Sequence, residues 1–135
     1  MLWELMDRRP RVSMAILKAT DLPETPGVYA IYRGGKPMYV GKAGCLRDRV
    51  WKNHSGRGAV MTGSALRRNI AEHLGIATSA DIKAGRYRPT LLEVQAVRDW
   101  LDGCQVAWVE CASKIDAKSL EDDFKRELKP PLTKL

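Results

Sequence analysis

A β-hairpin near the start of the chain constrains the fold more than any other feature of the 135-residue sequence. Residues 28–32, VYAIY, are rich in β-branched and aromatic side chains, and residues 37–41, PMYVG, form a second short run of this kind. The Arg33-Gly34-Gly35-Lys36 segment between them contains the glycines that tight hairpin turns favour. The sequence therefore predicts two adjacent antiparallel strands on which the rest of the chain packs.

Capping and periodicity signals predict helices in most of the remaining chain. Pro10 stands where a helix opens. Residues typical of helix N-caps precede three later segments, at Ser64, Thr90 and Ser113. The β-branched and aromatic run at residues 106–109 predicts a third strand. We predict helices over residues 11–19, 45–54, 64–74, 90–102 and 113–128, with a loop of some helical character at 76–89.

These elements together predict an α/β (α+β) fold. A small three-stranded, mainly antiparallel sheet is flanked by helices. The length of the chain suits one domain over residues 1–135, and it is sufficient to bury a single core. Within that domain, we expect residues 1–23 to form an N-terminal helical extension.

Basic residues outnumber acidic ones, with 23 Lys and Arg against 16 Asp and Glu and a formal net charge of +7. Such a surplus is typical of proteins that bind nucleic acid, since phosphate contacts scale with the cations presented. Charge alone leaves two interpretations equally open, a nucleic-acid partner and an ordinary basic surface.

The three cysteines, Cys45, Cys104 and Cys111, are odd in number and lack C-x-x-C spacing. A zinc finger or a disulfide scaffold is therefore disfavoured, and a cytoplasmic location is expected. No apolar run approaches the ~20 residues of a membrane span, so we expect no membrane partner.

Four residues whose side chains could take part in catalysis occur in order along the chain. Tyr29 and Tyr39 stand ten positions apart, and Arg49 follows ten positions later. Glu121 lies far downstream on the last predicted helix. Taken singly, each has an ordinary structural explanation, as a strand tyrosine, a solvated arginine or a member of a helical ion pair. Their joint occurrence is what points to a site.

With these residues the sequence resembles the GIY-YIG nuclease superfamily. Gly27-Val28-Tyr29 and Tyr39-Val40-Gly41 are similar to its two signatures. The segment 42–49 is similar to the one that carries the family's arginine, at Arg49, and Leu120-Glu121 to the one that carries its metal-binding glutamate. The resemblance covers residues 24–54 and 104–135, and it leaves residues 55–90 as a basic insertion.

The resemblance implies a divalent-metal-dependent endonuclease that hydrolyses DNA and leaves 5′-phosphate and 3′-hydroxyl ends. Glu121 would bind Mg²⁺ or Mn²⁺, because one carboxylate suffices for a cation that keeps several waters. No small-molecule cofactor is expected. The protein is expected to be a monomer or a weak dimer.

The resemblance also implies that one tyrosine orients or deprotonates the attacking water. We assign that role to Tyr29 and a supporting role to Tyr39. The metal, Lys42 and Arg49 would favour a tyrosine anion, since nearby positive charge lowers the pKa of a phenol. Arg49 offers a fork of donors to the phosphate. His54 would assist proton transfer or bind phosphate.

Four further arginines are candidates for contact with the DNA backbone. Arg47 lies on the predicted helix 45–54, and Arg57, Arg67 and Arg68 lie in the basic insertion. Phosphate contacts from such residues would position the protein on its substrate. A solvated basic face is an equally good explanation of the insertion.

Thr133 is the one departure from the family pattern. The family has an asparagine after the Pro-Pro-Leu segment, and a threonine lacks the reach of the amide. The alternative to an enzyme is therefore a non-catalytic nucleic-acid-binding module that keeps the fold. An interaction domain unrelated to nucleic acid fits the charge and the motifs less well.

Overall fold

The computed structural model of the protein describes residues 1–54 and 61–134. The described chain forms α1 (Glu4–Asp7), β1 (Val12–Ser13), a 3₁₀ helix (Ala19–Asp21), β2 (Gly27–Arg33), β3 (Lys36–Ala43), a π-helix (Arg47–His54), α2 (Ala65–His73), α3 (Ser79–Lys83), α4 (Leu91–Asp102), β4 (Gln105–Glu110) and α5 (Lys114–Leu128).

The four strands form one antiparallel sheet in the order β1-β4-β2-β3. This confirms the predicted α+β class and the β2–β3 hairpin, whose turn places Gly34 and Gly35 at φ +58° and +77°. Such positive φ angles are accessible to glycine at little steric cost. The expected three strands become four because the two-residue β1 pairs with β4.

The predicted helix over residues 11–19 is wrong. Val12 and Ser13 pair instead with Val106 and Gln105, and Met14 N–H donates to the Cys104 carbonyl at 2.9 Å. Pairing with the edge of a preformed sheet supplies backbone hydrogen bonds that outweigh a weak local helix propensity. The other predicted helices are confirmed in place, and the segment 76–89 contains the short α3.

The sheet has helices on both faces. One face of β2 presents Tyr29 and Ile31 to a core built with the π-helix, α2 and α4. The other face presents Val28, Ala30 and Tyr32 to a core built with α1 and α5. β2 is the central strand of these layers, since all its residues from Gly27 to Tyr32 are buried.

The C-terminal segment returns to the free edge of β3. Lys129 ends α5 in the left-handed conformation, at φ 47°. Leu132 N–H then donates to the Met38 carbonyl at 2.9 Å. This edge is consequently flanked by α5, α2 and the C-terminal segment. Among the described residues, no helix is long and apolar enough to cross a membrane.

Candidate active site

Two signature glycines let Tyr29 lie flat against the sheet. Tyr29 is the cross-strand partner of Gly41, and a Cβ at Gly41 would overlap the Tyr29 hydroxyl. A Cβ at Gly27 would overlap the Val109 carbonyl oxygen and the side chain of Leu46. A larger residue at either position would displace backbone or the tyrosine itself. Both glycines therefore serve the placement of Tyr29 and of the helix that covers it.

Tyr29, His54 and Ser64 form a buried hydrogen-bonded row. The Tyr29 hydroxyl lies 2.6 Å from Nε2 of His54, and the Ser64 hydroxyl lies 2.6 Å from Nδ1 of the same ring. All three residues are at most 1% exposed. Ser64 Oγ also accepts the N–H of Arg67 at 3.1 Å, as the N-cap of α2. The row thus connects β2 to the start of the insertion helix.

His54 is held in its neutral form. Burial lowers the pKa of His54 well below its ordinary value, and the positive charges of Arg49, Arg67 and Arg68 lower it further. One ring nitrogen therefore carries a proton and the other accepts a hydrogen bond. His54 bonds a hydroxyl on each side rather than acting as a cation.

Tyr39 stands between this row and solvent. The Tyr29 and Tyr39 ring centroids are 6.1 Å apart. The pKa of Tyr39 is raised above its usual value, first by burial, and the charge of Arg49 opposes that shift. The pKa of Tyr29 is raised well above its usual value, first by burial and then by Tyr39. Both surroundings therefore favour the neutral phenol, and they do so more strongly for Tyr29 than for Tyr39.

A polar cleft of about 440 Å³ opens at the free edge of β3. Tyr39 and Glu121 both line it, and the fully buried Tyr29 lies behind Tyr39. A larger groove of about 550 Å³ lies beside α3 and α4, but mostly apolar surface lines it and none of the signature residues reaches it. The other residues that line the polar cleft include Ala65, Arg68, Asn69, Glu72, Ser79, Lys83, Lys125, Thr133 and Lys134.

Glu121 supplies a carboxylate suited to a divalent cation. It is 6% exposed and lies 3.4 Å from the ammonium of Lys125, one turn further along α5. Within residues 1–54 and 61–134, no group of three or more His, Cys, Asp or Glu side chains could hold a metal. A single hard oxygen ligand in a cleft with room for water still fits Mg²⁺, which keeps several of its own waters.

Thr133 and Asn69 fasten the C-terminal segment at the cleft. Thr133 Oγ1 accepts the Val40 N–H at 2.9 Å and donates to the Val40 carbonyl at 3.4 Å. The Asn69 side-chain amide donates to the Leu132 carbonyl at 2.8 Å. The hydroxyl of Thr133 therefore completes a backbone contact at the edge of β3, and the amide in this region comes from α2.

The structure brings Tyr29, Tyr39, Arg49 and His54 together, and Tyr39 is the member of this group that lines the cleft. Arg49 Nη1 is held by the Gly63 carbonyl at 3.4 Å, and its charge acts on both phenols and on the imidazole. Lys42 does not join them. It is exposed, and strand alternation places it on the face of β3 opposite Tyr39.

The candidate DNA contacts occupy different environments. Arg47 is bonded to the Leu22 carbonyl and to Glu24, and so braces the loop before β2. Arg67 is 4% exposed and lies beside a small cavity behind His54, away from the cleft. Arg68 lines the cleft, where its guanidinium bonds the Thr62 carbonyl and the Ser79 hydroxyl. Arg57 lies outside the described residues.

Sequence reasoning missed Ser64, Asn69 and Lys125 as site residues. Ser64 carries a visible signal as a helix cap, but its contact with His54 arises only from the tertiary fold. Lys125 stands four residues after Glu121, a spacing that indicates an ion pair. Asn69 gives no signal, because a polar residue on a helix is usually exposed.

The stability of the protein is expected to fall as the pH is lowered below about 6.5. His54 has a depressed pKa in the folded state, so the unfolded chain takes up a proton before the folded protein does. The free energy of unfolding then decreases by up to about 1.4 kcal/mol per pH unit until the folded pKa is reached. Denaturant titrations between pH 8 and 5 measure this slope.

Two variants identify the origin of that slope. His54→Gln should flatten the profile over this range, whereas His73→Gln should leave it as steep as in the parent. His73 is the other histidine of the chain and packs against Trp100. An equally steep profile in His54→Gln would show that other groups cause the pH dependence.

Comparison with known proteins identifies the family of the chain. A model of the GIY-YIG catalytic domain matches residues 15–134, which is most of the chain. The chain therefore belongs to the GIY-YIG catalytic domain family. Over 29 residues, 22% of this chain, it is 62% identical to the UvrABC system protein C of Deinococcus radiodurans, of which the match spans 5%.

Solved structures of one domain are also similar. The GIY-YIG N-terminal endonuclease domain of UvrC from Thermotoga maritima, bound to its catalytic divalent cation magnesium, shares 18% sequence identity and superposes with a TM-score of 0.46. That alignment covers 85% of this chain and 90% of the other. A point mutant of the same domain gives 18% identity and a TM-score of 0.48, over 87% and 92% of the two chains.

Proposed function

We propose that the protein is a divalent-metal-dependent endonuclease that hydrolyses DNA phosphodiester bonds. The observation that carries the proposal is the polar cleft at the edge of β3, where the Glu121 carboxylate and the Tyr39 hydroxyl face one space. The surplus of positive charge on the chain supports a polyanionic substrate. The cytoplasmic location and the monomeric or weakly dimeric state remain predictions.

Glu121 would hold the metal ion. The bound Mg²⁺ or Mn²⁺ would supply charge stabilisation at a phosphate oxygen and at the departing 3′ oxygen. Tyr39 would orient the attacking water, because its hydroxyl lines the cleft, and it would accept the proton of that water only as the phenolate that the bound cation and Arg49 would favour. Arg49, whose charge favours ionised Tyr39, would donate to the phosphate as negative charge develops.

This assignment reverses the roles expected for the two tyrosines from sequence. Tyr29 is fully buried and lies behind Tyr39, so its hydroxyl supports Tyr39 rather than meeting water in the cleft. His54 in turn contacts Tyr29. We retain Tyr29, Tyr39, Arg49, His54 and Glu121 as the proposed catalytic machinery, and the exposed Lys42 falls outside it.

The direct test is incubation of the protein with supercoiled, nicked and branched DNA in the presence of Mg²⁺ or Mn²⁺. Cleavage that stops on addition of a chelator is expected. DNA binding without any cleavage would contradict the enzyme and support the non-catalytic module. The ends left by cleavage are read by ligation, which requires the expected 5′-phosphate and 3′-hydroxyl.

The Lys125–Glu121 ion pair is the feature that most favours the non-catalytic alternative, because an ammonium group already neutralises the candidate metal ligand. If the protein is an enzyme, metal must displace that ammonium. Lys125→Met is therefore expected to tighten Mn²⁺ binding severalfold, since one competing positive charge is removed. Titration calorimetry measures this affinity. Unchanged or weaker Mn²⁺ binding would show that Lys125 does not compete for Glu121.

The cleft rim is the proposed path of the DNA backbone. Lys83 is exposed on it, Arg68 lies deeper beside Tyr39, and Lys134 is paired there with Glu72. Arg67 is excluded from this role by its burial, and Arg47 by its bonds to Leu22 and Glu24. The basic insertion thus contributes one wall of the cleft through α2 and α3.

Lys83→Ala is expected to weaken DNA binding and to reduce the slope of log affinity against log salt by about 1. One phosphate contact is lost, and with it the release of its counterions. Binding is measured by fluorescence anisotropy at several salt concentrations, in a Glu121→Gln background that leaves the DNA intact. Lys36→Ala, in the exposed hairpin turn, is the matched control. Equal slopes for the two variants would exclude Lys83 from the DNA path.

A further inference from the structure

We infer that Ser64 is a positioning residue that fixes the tautomer of His54, so that the imidazole donates a hydrogen bond to the Tyr29 oxygen. The inference rests on the proposed function, because it concerns how the groups behind Tyr39 are oriented. It adds to the site a residue of the insertion, at the N-cap of α2. Ser64 itself does not touch the cleft.

The hydrogen-bond partners of Ser64 decide the direction of its hydroxyl. Oγ accepts the N–H of Arg67 at 3.1 Å, which occupies one lone pair. Among the described residues, Nδ1 of His54 at 2.6 Å is the one acceptor within reach of the Ser64 hydroxyl hydrogen. Ser64 is 1% exposed, so bulk solvent does not reach its hydroxyl.

Two proton arrangements fit these distances, and they differ in one respect. If Nδ1 carries the proton, it donates to Ser64 Oγ and the serine hydroxyl hydrogen is left buried without an acceptor. If Nε2 carries the proton, Ser64 donates to Nδ1 and Nε2 donates to the Tyr29 oxygen, and the hydrogen left over is that of Tyr29, which lies beside Tyr39 on the side of the cleft. A buried, unsatisfied hydroxyl is costly enough to favour the second arrangement by about tenfold.

In the favoured arrangement every hydrogen bond of the row is donated in the direction of the cleft. Ser64 donates to His54, and Nε2–H of His54 donates to the Tyr29 oxygen at 2.6 Å. The Tyr29 hydrogen is then free to point toward Tyr39, whose ring centroid lies 6.1 Å from that of Tyr29 on the side of the cleft. In the opposite arrangement the Tyr29 hydrogen is taken up by Nε2, and Tyr39 loses its donor.

The π-helix is what brings His54 to this position. Arg49 and His54 are five residues apart, and in an α-helix they would point about 140° apart. A π-helix, with its i→i+5 hydrogen bonds, takes more residues for each turn than an α-helix, so residues five apart lie closer to the same side. Arg49 and His54 therefore both act on Tyr29.

The test is the tautomer of His54, read from its ¹⁵N chemical shifts at neutral pH. The chain has two histidines, so a His73→Gln variant assigns the signals. The expected result is protonation at Nε2 in the parent protein. Protonation at Nδ1 would overturn the inference, whether or not the protein cleaves DNA. Absence of any DNA cleavage would overturn the proposed function and leave this measurement valid.

Variants of Ser64 separate positioning from helix capping. Ser64→Thr keeps the hydroxyl and should keep the tautomer and the rate. Ser64→Ala should shift the tautomer toward Nδ1–H and slow cleavage by roughly 10- to 100-fold, as expected for partners that orient a functional histidine. Ser64→Asp keeps a good N-cap but can only accept, so it should favour a protonated Nδ1 and also slow cleavage.

Thr90→Ala is the matched control for the loss of a cap. Thr90 caps α4 and accepts the N–H of Glu93, with no contact to His54. It should lower the stability as Ser64→Ala does and leave the His54 tautomer and the cleavage rate unchanged. An unchanged tautomer in Ser64→Ala, or an equal loss of cleavage in Thr90→Ala, would overturn the inference.

Discussion

Glu121→Gln is expected to reduce metal-dependent DNA cleavage by about a thousandfold or more. The substitution keeps the shape of the side chain and removes the charge that would hold the cation. The several kcal/mol of charge stabilisation that a bound metal supplies correspond to a loss of this size. The rate of plasmid nicking at saturating Mg²⁺ measures the effect.

The control for this substitution lies one residue along α5. Asp122 is partly exposed and pairs with Lys118, so Asp122→Asn removes a carboxylate of the same helix outside the cleft. It should retain the parent rate to within a few fold, since an exposed ion pair contributes little. Glu121→Gln should also lose the thermal stabilisation that Mg²⁺ gives the parent by binding the folded state. Near-parental cleavage by Glu121→Gln would remove Glu121 from the metal site.

The elements that sequence predicts well are those with local signals. The Gly34-Gly35 turn defines the β2–β3 hairpin, and the N-caps at Ser64 and Thr90 define the starts of α2 and α4. β1 has no comparable signal. A strand of two residues is too short to show a hydrophobic period. Its extended conformation depends on the edge of β4, with which it pairs.

The candidate site likewise has some features that the sequence predicts and others that only the packed structure reveals. Tyr29, Tyr39, Arg49 and Glu121 could be proposed together because their order and spacing resemble a family pattern. In the structure Tyr39 and Glu121 line one cleft, and Tyr29 and Arg49 lie beside Tyr39. The order of the tyrosines could not be predicted, because burial behind another side chain is a property of the packed core. A π-helix likewise gives no recognisable sequence signal.

Lys42 shows how strand geometry corrects a motif. Side chains alternate along a strand, so Tyr39 and Ala43 share one face of β3 while Val40 and Lys42 share the other. The two-residue period was available from the sequence once the strand was assigned. A motif identifies which residues occur together in a sequence. The two-residue period of the strand then decides which of their side chains lie on the same face and can contact one another.

Tyr39→Phe is expected to lower the cleavage rate by two to four orders of magnitude, roughly the contribution of a positioned general base. The substitution removes the hydroxyl that lines the cleft and keeps the ring that packs beside Tyr29. Single-turnover cleavage at saturating enzyme isolates this chemical step from DNA binding. Tyr29→Phe should have a smaller effect, because Tyr29 acts through Tyr39.

Tyr32→Phe distinguishes loss of chemistry from loss of a buried hydroxyl. Tyr32 lies on the opposite face of β2, where its hydroxyl donates to Asp7 at 3.1 Å. Removing that hydroxyl should lower the stability by about 1 kcal/mol and leave the cleavage rate unchanged. If Tyr29→Phe slowed cleavage more than Tyr39→Phe did, the water would be activated by the inner tyrosine, and the roles expected from sequence would be restored. The order of the cleavage rates of the three variants thus decides which tyrosine hydroxyl contacts the attacking water. The phenol that contacts the water is the one whose loss lowers the cleavage rate greatly and the stability only slightly.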